Sequence, residues 1–273
     1  MTQSQNTPTL ARRNLGRALK RHRVNSGLTR AEAAAKIGYS RHSIKNYEDG
    51  QGAKPLVVAG LCDAYGVDDE VKSHLCQLAL KGAERGWWEK YPDGRLHLQP
   101  LYLEAEHAAT DIRAIETEFI PGLLQTPGYI AELVAASHMP GQLAKDIRTL
   151  RSHRQKLMFD RRQLPKIQFA IGAGAFVYLD RMPMGIKDEQ LKRILEVSEF
   201  PNVDIRAIEG VGPTVGAYTV VTSETDDGER ETIVYVDGLD GCRYIEDPEV
   251  IASYEQPFAV VFHGATPIRE YIA

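Results

Sequence analysis

Along the first eighty residues, apolar positions recur at helical spacing, and glycine or capping residues cut the pattern into short pieces. Residues Leu10 to Asn25 carry Leu15 and Leu19, with basic residues filling the faces between them, and Gly27 ends this amphipathic stretch. Thr29 then stands three residues before Glu32 at the head of AEAAAKI, the spacing of a capping box in which the hydroxyl and the carboxylate satisfy each other's backbone amides. The alanines allow close approach of a neighbouring helix, and Gly38 predicts a left-handed stop. Ser40 predicts the start of a third helix, Arg41 to Glu48, closed by Gly50. PLVVAGLCDAYGVDD and EVKSHLCQLALKGAE add two more, so that residues 10–83 read as an all-α domain of about five helices.

A turn-rich boundary follows, with Gly86-Trp87-Trp88 and Tyr91-Pro92-Asp93-Gly94. The pattern next predicts a long helix from about Leu101 to Thr117, an extended Pro-Gly turn, and a helix opened by Thr126 with Pro127 at its first position. A second basic-rich helix is expected over Gln142 to Gln163. From Lys166 the period changes to alternation with β-branched residues: IQFAIG, VDIRAI, VGAYTVVTS, ETIVYVDG and CRYIE read as strands. A helix over Lys187 to Glu199 lies between the first two, and DPEVIASYEQPFAVVFHGA leads to a short terminal helix from Thr266. The expected class is α+β, with residues 87–273 forming a helical region and then a mostly antiparallel sheet.

Composition alters this picture mainly through where the charge lies. Over the whole chain it is −4, but Pro8 to Pro55 holds eleven Lys and Arg against three acids, a local +8, which leaves −12 elsewhere. Such asymmetry points to an amino-terminal module that meets a polyanion. Apolar residues at 43% and charged residues at 26% exclude wholesale disorder. No apolar run approaches the roughly 18 residues of a membrane span. Cys62, Cys76 and Cys242 are odd in number and far apart, as expected of a reducing compartment, so a cytoplasmic location is expected.

The string LGRALKRHRVNSGLTRAEAAAKIGYSRHSIKNYEDGQGAKP resembles the Xre/Cro-type helix-turn-helix; Ala33 replaces the leucine usual in that family. The third helix then enters the major groove of double-stranded DNA, with Arg41, His42, Ser43, Lys45 and Asn46 facing base edges or flanking phosphates. Arg30 and the amides behind Thr29 suit a phosphate, as do Arg17 and Lys54, and Ser40 caps the reading helix. Ile44, Tyr47, Leu15 and Leu19 are assigned to the core.

The run Leu103-Glu104, Ile120 to Thr126 (IPGLLQT) and Tyr129, with Trp87-Trp88, is similar to the signature of the WhiJ-like family of actinobacterial regulators. That resemblance implies a helix-turn-helix domain joined to a carboxy-terminal domain of undefined function, an antitoxin-like character, and a small protein partner encoded nearby. Trp87, Trp88, Phe119 and Tyr129 form either a hydrophobic core seam or a pocket for a ligand or a short peptide, and the resemblance implies a partner-binding surface. The chain departs from the family after the first strand, where GAGAF replaces the usual Glu and Leu. Gly172-x-Gly174 and Gly210-x-Gly212 complete no phosphate-binding fingerprint, and Glu104-x-x-His107 is only half of a bundle di-metal motif. No nucleophile elbow is present. The expected function is that of a sequence-specific, homodimeric transcriptional regulator that is not an enzyme and carries no cofactor or metal. The alternative is an antitoxin-like protein that sequesters its partner and regulates itself.

Overall fold

A computed structural model describes residues 10–83, 100–210, 216–224, 230–238 and 241–273. The chain divides into two compact units, Met1–Lys90 and Tyr91–Ala273. Trp87 and Trp88, read above as core seam or pocket, lie outside the described residues.

The first unit is helical: α1 (Leu10–Asn25), α2 (Arg30–Ile37), α3 (Arg41–Glu48), α4 (Pro55–Tyr65) and α5 (Asp69–Ala83). Its boundaries follow local chemistry. Thr29 and Glu32 form the complete capping box, Gly38 stops α2 at φ 72°, and the Ser40 hydroxyl accepts from the Ser43 amide to open α3. Leu15, Leu19, Ala33, Ile44, Val58, Leu61 and Cys62 form the core. Each fully buried leucine contributes about 1.5–3 kcal/mol. Burial also pushes the Cys62 thiol up to about 11, as befits a residue that packs and does not react.

Gly16 explains the Leu-Gly pair that opens the motif. A Cβ there would lie 2.7 Å from the carbonyl oxygens of both Tyr47 and Glu48, so only glycine lets α1 touch the end of α3. Gly16→Ala is expected to cost about 1–3 kcal/mol through overpacking, checked by urea denaturation of the purified variant.

The second unit contains α6 (Pro100–His107), β1 (Ala109–Glu116), α7 (Pro127–Ala136), α8 (Gly141–Phe159), β2 (Lys166–Gly172), α9 (Ala173–Asp180) and α10 (Met184–Val197). It continues with β3 (Val203–Ile208), β4 (Tyr218–Glu224), β5 (Arg230–Gly238), β6 (Gly241–Ile245), α11 (Pro248–Gly264), β7 (Thr266–Pro267) and α12 (Ile268–Ile272). Among the described residues the strands make one seven-stranded sheet in the order β6-β5-β4-β1-β2-β3-β7. β1–β2 and β2–β3 are parallel, and the remaining four pairings are antiparallel. The class is α+β, with a parallel three-stranded centre inside a mostly antiparallel sheet.

The two-residue period sends Ile112, Ala114, Phe169, Ile171 and Val221 to one face, against Leu123, Leu124, Tyr129, Phe176 and Ile194. Ile115, Ala170, Tyr218, Val220 and Val234 point to the other, where α11 covers them with Ile251, Phe258, Val261 and Phe262.

Several sequence expectations are corrected by this fold. The long helix expected to reach Thr117 stops at His107, and residues 109–116 form β1 in the middle of the sheet. Its apolar residues also fit helical spacing, but Thr110, Ile112 and Ile115 are β-branched, and pairing on both edges with β2 and β4 decides the outcome. The basic-rich helix ends at Phe159, not Gln163, and GAGAF, which follows the first of the expected strands, begins the helix α9. Gly172 and Gly174 are required there by packing, since a Cβ on either would lie 2.7 Å from the Thr117 carbonyl oxygen.

Candidate nucleic-acid interface and carboxy-terminal cavity

The amino-terminal unit places Arg41, His42, Ser43, Lys45 and Asn46 together on α3. Arg41, His42 and Lys45 are exposed, while Ser43 and Asn46 are half-buried. Ile44 is fully buried and fixes which side of α3 faces outward. Lys45 pairs with Asp49 one turn on, an exposed contact that a phosphate can replace at little cost. Thr29 and Ser40 act through their helix caps. Lys54 is exposed at the start of α4, and Arg17 donates to Asn14 Oδ1 at 2.9 Å on α1.

Arg30 is placed differently from a simple phosphate anchor. Its Nε donates to Glu48 Oε2 at 2.7 Å, and Arg23 Nε donates to Glu48 Oε1 at 2.5 Å. Glu48 is 6% exposed, so one buried carboxylate at the end of α3 ties down the end of α1 and the start of α2. The carboxylate holds the Arg23 guanidinium above its ordinary value, mainly through the hydrogen bond and against the effect of burial. The sequence pattern does not reveal this joint, because Arg23, Arg30 and Glu48 meet only in the folded unit.

In the second unit, the segment Ile120–Thr126 is clamped by side chains from α7, α8 and α10 and by its own Gln125. Gln125 Nε2 donates to the Ile120 carbonyl at 2.7 Å, and Gln155 Nε2 donates to the carbonyls of Gly122 and Gln125 at 2.7 and 2.8 Å. Gln190, fully buried on α10, accepts from the Thr126 amide and donates to the Leu124 carbonyl, both at 2.8 Å. Beneath lies a buried pair: Arg154 donates through Nε to Glu106 at 2.6 Å, through Nη2 to the other Glu106 oxygen, and to Tyr102 Oη at 3.1 Å. Gly122 is what admits it, since a Cβ there would lie 2.8 Å from Arg154 Nη1.

Of the two readings of Tyr129, core seam or pocket wall, its burial supports the first and not a partner-binding role. It is fully buried, and its hydroxyl accepts from the Ile120 amide at 3.2 Å, so it supports the turn from inside and offers nothing to a partner. Phe119 is 44% exposed and stacks on Tyr178 with ring centroids 6.0 Å apart.

The turn, β1, β4, β5, α7 and α8 line an open cavity of about 540 Å³ whose walls include Tyr102, Glu116, Phe119, Gln125, Arg151 and Tyr235. Burial pushes the Glu116 carboxyl up to about 7, opposed by Arg154 and Arg151 and assisted by Asp237. The neutral form is therefore favoured on folding, and stability falls as pH rises from about 4.5 through about 7. Glu116→Gln is expected to be more stable than the parent at pH 8 by about 1–3 kcal/mol and equal to it near pH 4. Denaturant titrations at the two pH values check this. Burial likewise lowers the Arg151 guanidinium to about 10. Among the described residues, no group of three metal-ligating side chains is found, and no helix is long and apolar enough to cross a membrane.

Comparison with known proteins agrees with this division. Residues 99–270 match the family described as a domain of unknown function, DUF5753, and residues 14–75 match a helix-turn-helix domain. No curated protein matches. Among solved structures, the clp gene regulator ClgR from C. glutamicum is similar at 23% identity, covering 29% of this chain and 100% of that one, with a TM-score of 0.23.

Proposed function

This chain belongs to the DUF5753 family, and on that premise we propose that it is a sequence-specific DNA-binding regulator of transcription, with a WhiJ-like carboxy-terminal domain that takes its signal from a small protein partner. The observation that carries this reading is α3: a Ser40-capped helix, anchored inward by Ile44, with Arg41, His42 and Lys45 exposed on it. Residues 10–83 act as the Xre-type reading domain and residues 87–273 as the receiving domain. Arg41 and Asn46 address base edges, His42, Ser43 and Lys45 address bases or adjoining phosphates, and Arg17, Arg30 and Lys54 address the backbone. Thr29 and Ser40 keep the two helix starts in place. The protein works as a homodimer on paired half-sites, in the cytoplasm of an actinobacterium, and without catalysis of its own.

Gel-shift titration against the region upstream of its own reading frame and against unrelated duplex tests the reading, with preference for the former expected and equal affinity contradicting it. Arg41→Ala is expected to cost about 1–3 kcal/mol on the preferred site and to relax sequence preference. Lys54→Ala should weaken every duplex alike and flatten the salt dependence.

The antitoxin-like alternative is favoured by the exposed, stacked Phe119 and Tyr178, a surface suited to a protein partner. Copurification with the product of the neighbouring reading frame, lost in a Phe119→Ser variant, separates it from regulation alone.

A further inference from the structure

The cavity beside the Ile120–Thr126 turn is lined by Glu116 and Arg151, neither of which has an ion-pair partner within 4.0 Å among the described residues. Its volume, about 540 Å³, falls within the range of about 300–1,000 Å³ typical of small-ligand sites. Tyr102, Phe119, Phe169, Tyr218 and Tyr235 supply aromatic wall. Glu116, at the end of β1, lines this space, and its carboxylate meets no hydrogen-bonding or ion-pairing group among the described residues. Arg151, on α8, donates to the neutral amide oxygen of Gln125 and pairs with no carboxylate within 4.0 Å among the described residues. The neighbouring Arg154 differs, because Glu106 and Tyr102 occupy it.

Glu116 and Arg151 are both half-buried, and they act on each other and on Asp237 and Arg154 only from beyond ion-pair contact, so each is still open to direct pairing with a charge on a ligand. The complement is a ligand bearing the opposite two charges with an apolar body between or beside them. We propose that this cavity binds a short zwitterionic peptide of about dipeptide size, its ammonium at Glu116, its carboxylate at Arg151 and its apolar side chains against the tyrosine and phenylalanine walls. An arriving ammonium also supplies the charge that keeps Glu116 ionised near neutral pH, where burial alone favours its protonated form. Because the site lies wholly within residues 100–273, a failure of DNA binding leaves this inference untouched, and the reverse also holds.

The test is isothermal titration of the full chain with L-leucyl-L-phenylalanine, with its N-acetyl form, which lacks the ammonium, and with its carboxamide, which lacks the carboxylate. The free dipeptide is expected to bind, and each blocked form to bind about tenfold or more weakly. Glu116→Gln, nearly isosteric, is expected to erase the difference between the free and N-acetyl forms, and Arg151→Met the difference between the free form and the carboxamide. Thermal unfolding without peptide checks that each variant folds. If Arg151→Met does not, the three peptides on the parent protein still decide the matter. Absence of binding by the free dipeptide at millimolar concentration, or equal binding of all three forms, overturns the proposal.

Discussion

Glu48→Ala is expected to destabilise the amino-terminal unit by about 3–5 kcal/mol, the cost of leaving buried charge without its partner. The Glu48 side chain is 1% exposed, those of Arg23 and Arg30 are 11% and 28% exposed, and both guanidiniums converge on its two oxygens. Arg23 cannot simply turn to solvent, since its Nη1 also holds the Leu28 carbonyl at 2.8 Å. Losing the carboxylate therefore loosens the turn between α1 and α2 as well as the end of α3. Arg30→Ala removes one arm, keeps Arg23 in place, and is expected to cost much less. Denaturant unfolding followed by amide exchange across residues 10–83 distinguishes the two. A Glu48→Ala variant as stable as the parent would show that the joint is incidental.

Arg154→Met is expected to produce a loss of similar size, about 3–5 kcal/mol, in the second unit. Glu106 is 2% exposed and depends on Arg154 for both oxygens, and Tyr102 contributes its hydroxyl and ring to the same guanidinium. The substitution leaves Glu106 buried and uncompensated beneath the turn. Replacing both partners, as Glu106→Leu with Arg154→Met, is expected to recover much of the loss, because no charge then remains to be solvated. Thermal unfolding of the two singles and the double forms the cycle. A double variant no better than Arg154→Met alone would mean that disturbed packing around Gly122, and not the stranded carboxylate, causes the loss.

Features that depend on neighbours in the chain were legible in the sequence. The capping box of Thr29 and Glu32, the Gly38 stop, the Ser40 cap and the Pro127 start all depend on residues within four positions of one another, and the structure shows each of them. Strands β2 to β6 followed from alternation and turn residues. What escaped depends on contacts distant in sequence. β1 reads as helix until β2 and β4 flank it. Arg30 reads as a phosphate ligand in the sequence, and its Nε bond to Glu48 shows only in the folded unit. Tyr129 reads as core or pocket wall until the Ile120 amide is found on its hydroxyl. The Ile120–Thr126 segment was conspicuous in sequence, but its physical meaning came from Gln155 and Gln190, whose side chains meet it from elsewhere in the chain. Of the cavity the sequence marked only Phe119 beside the turn; Glu116 and Arg151 come to line it through a strand that the pattern concealed.

Whether α3 is the surface that meets DNA is tested most directly by backbone amide shift mapping of the full chain, titrated with duplex from its own upstream region. The largest changes are expected over Ser40–Asn46, with smaller ones near Arg17, Arg30 and Lys54, all fading as salt is raised. Changes centred on α8, with α3 unmoved, would contradict it.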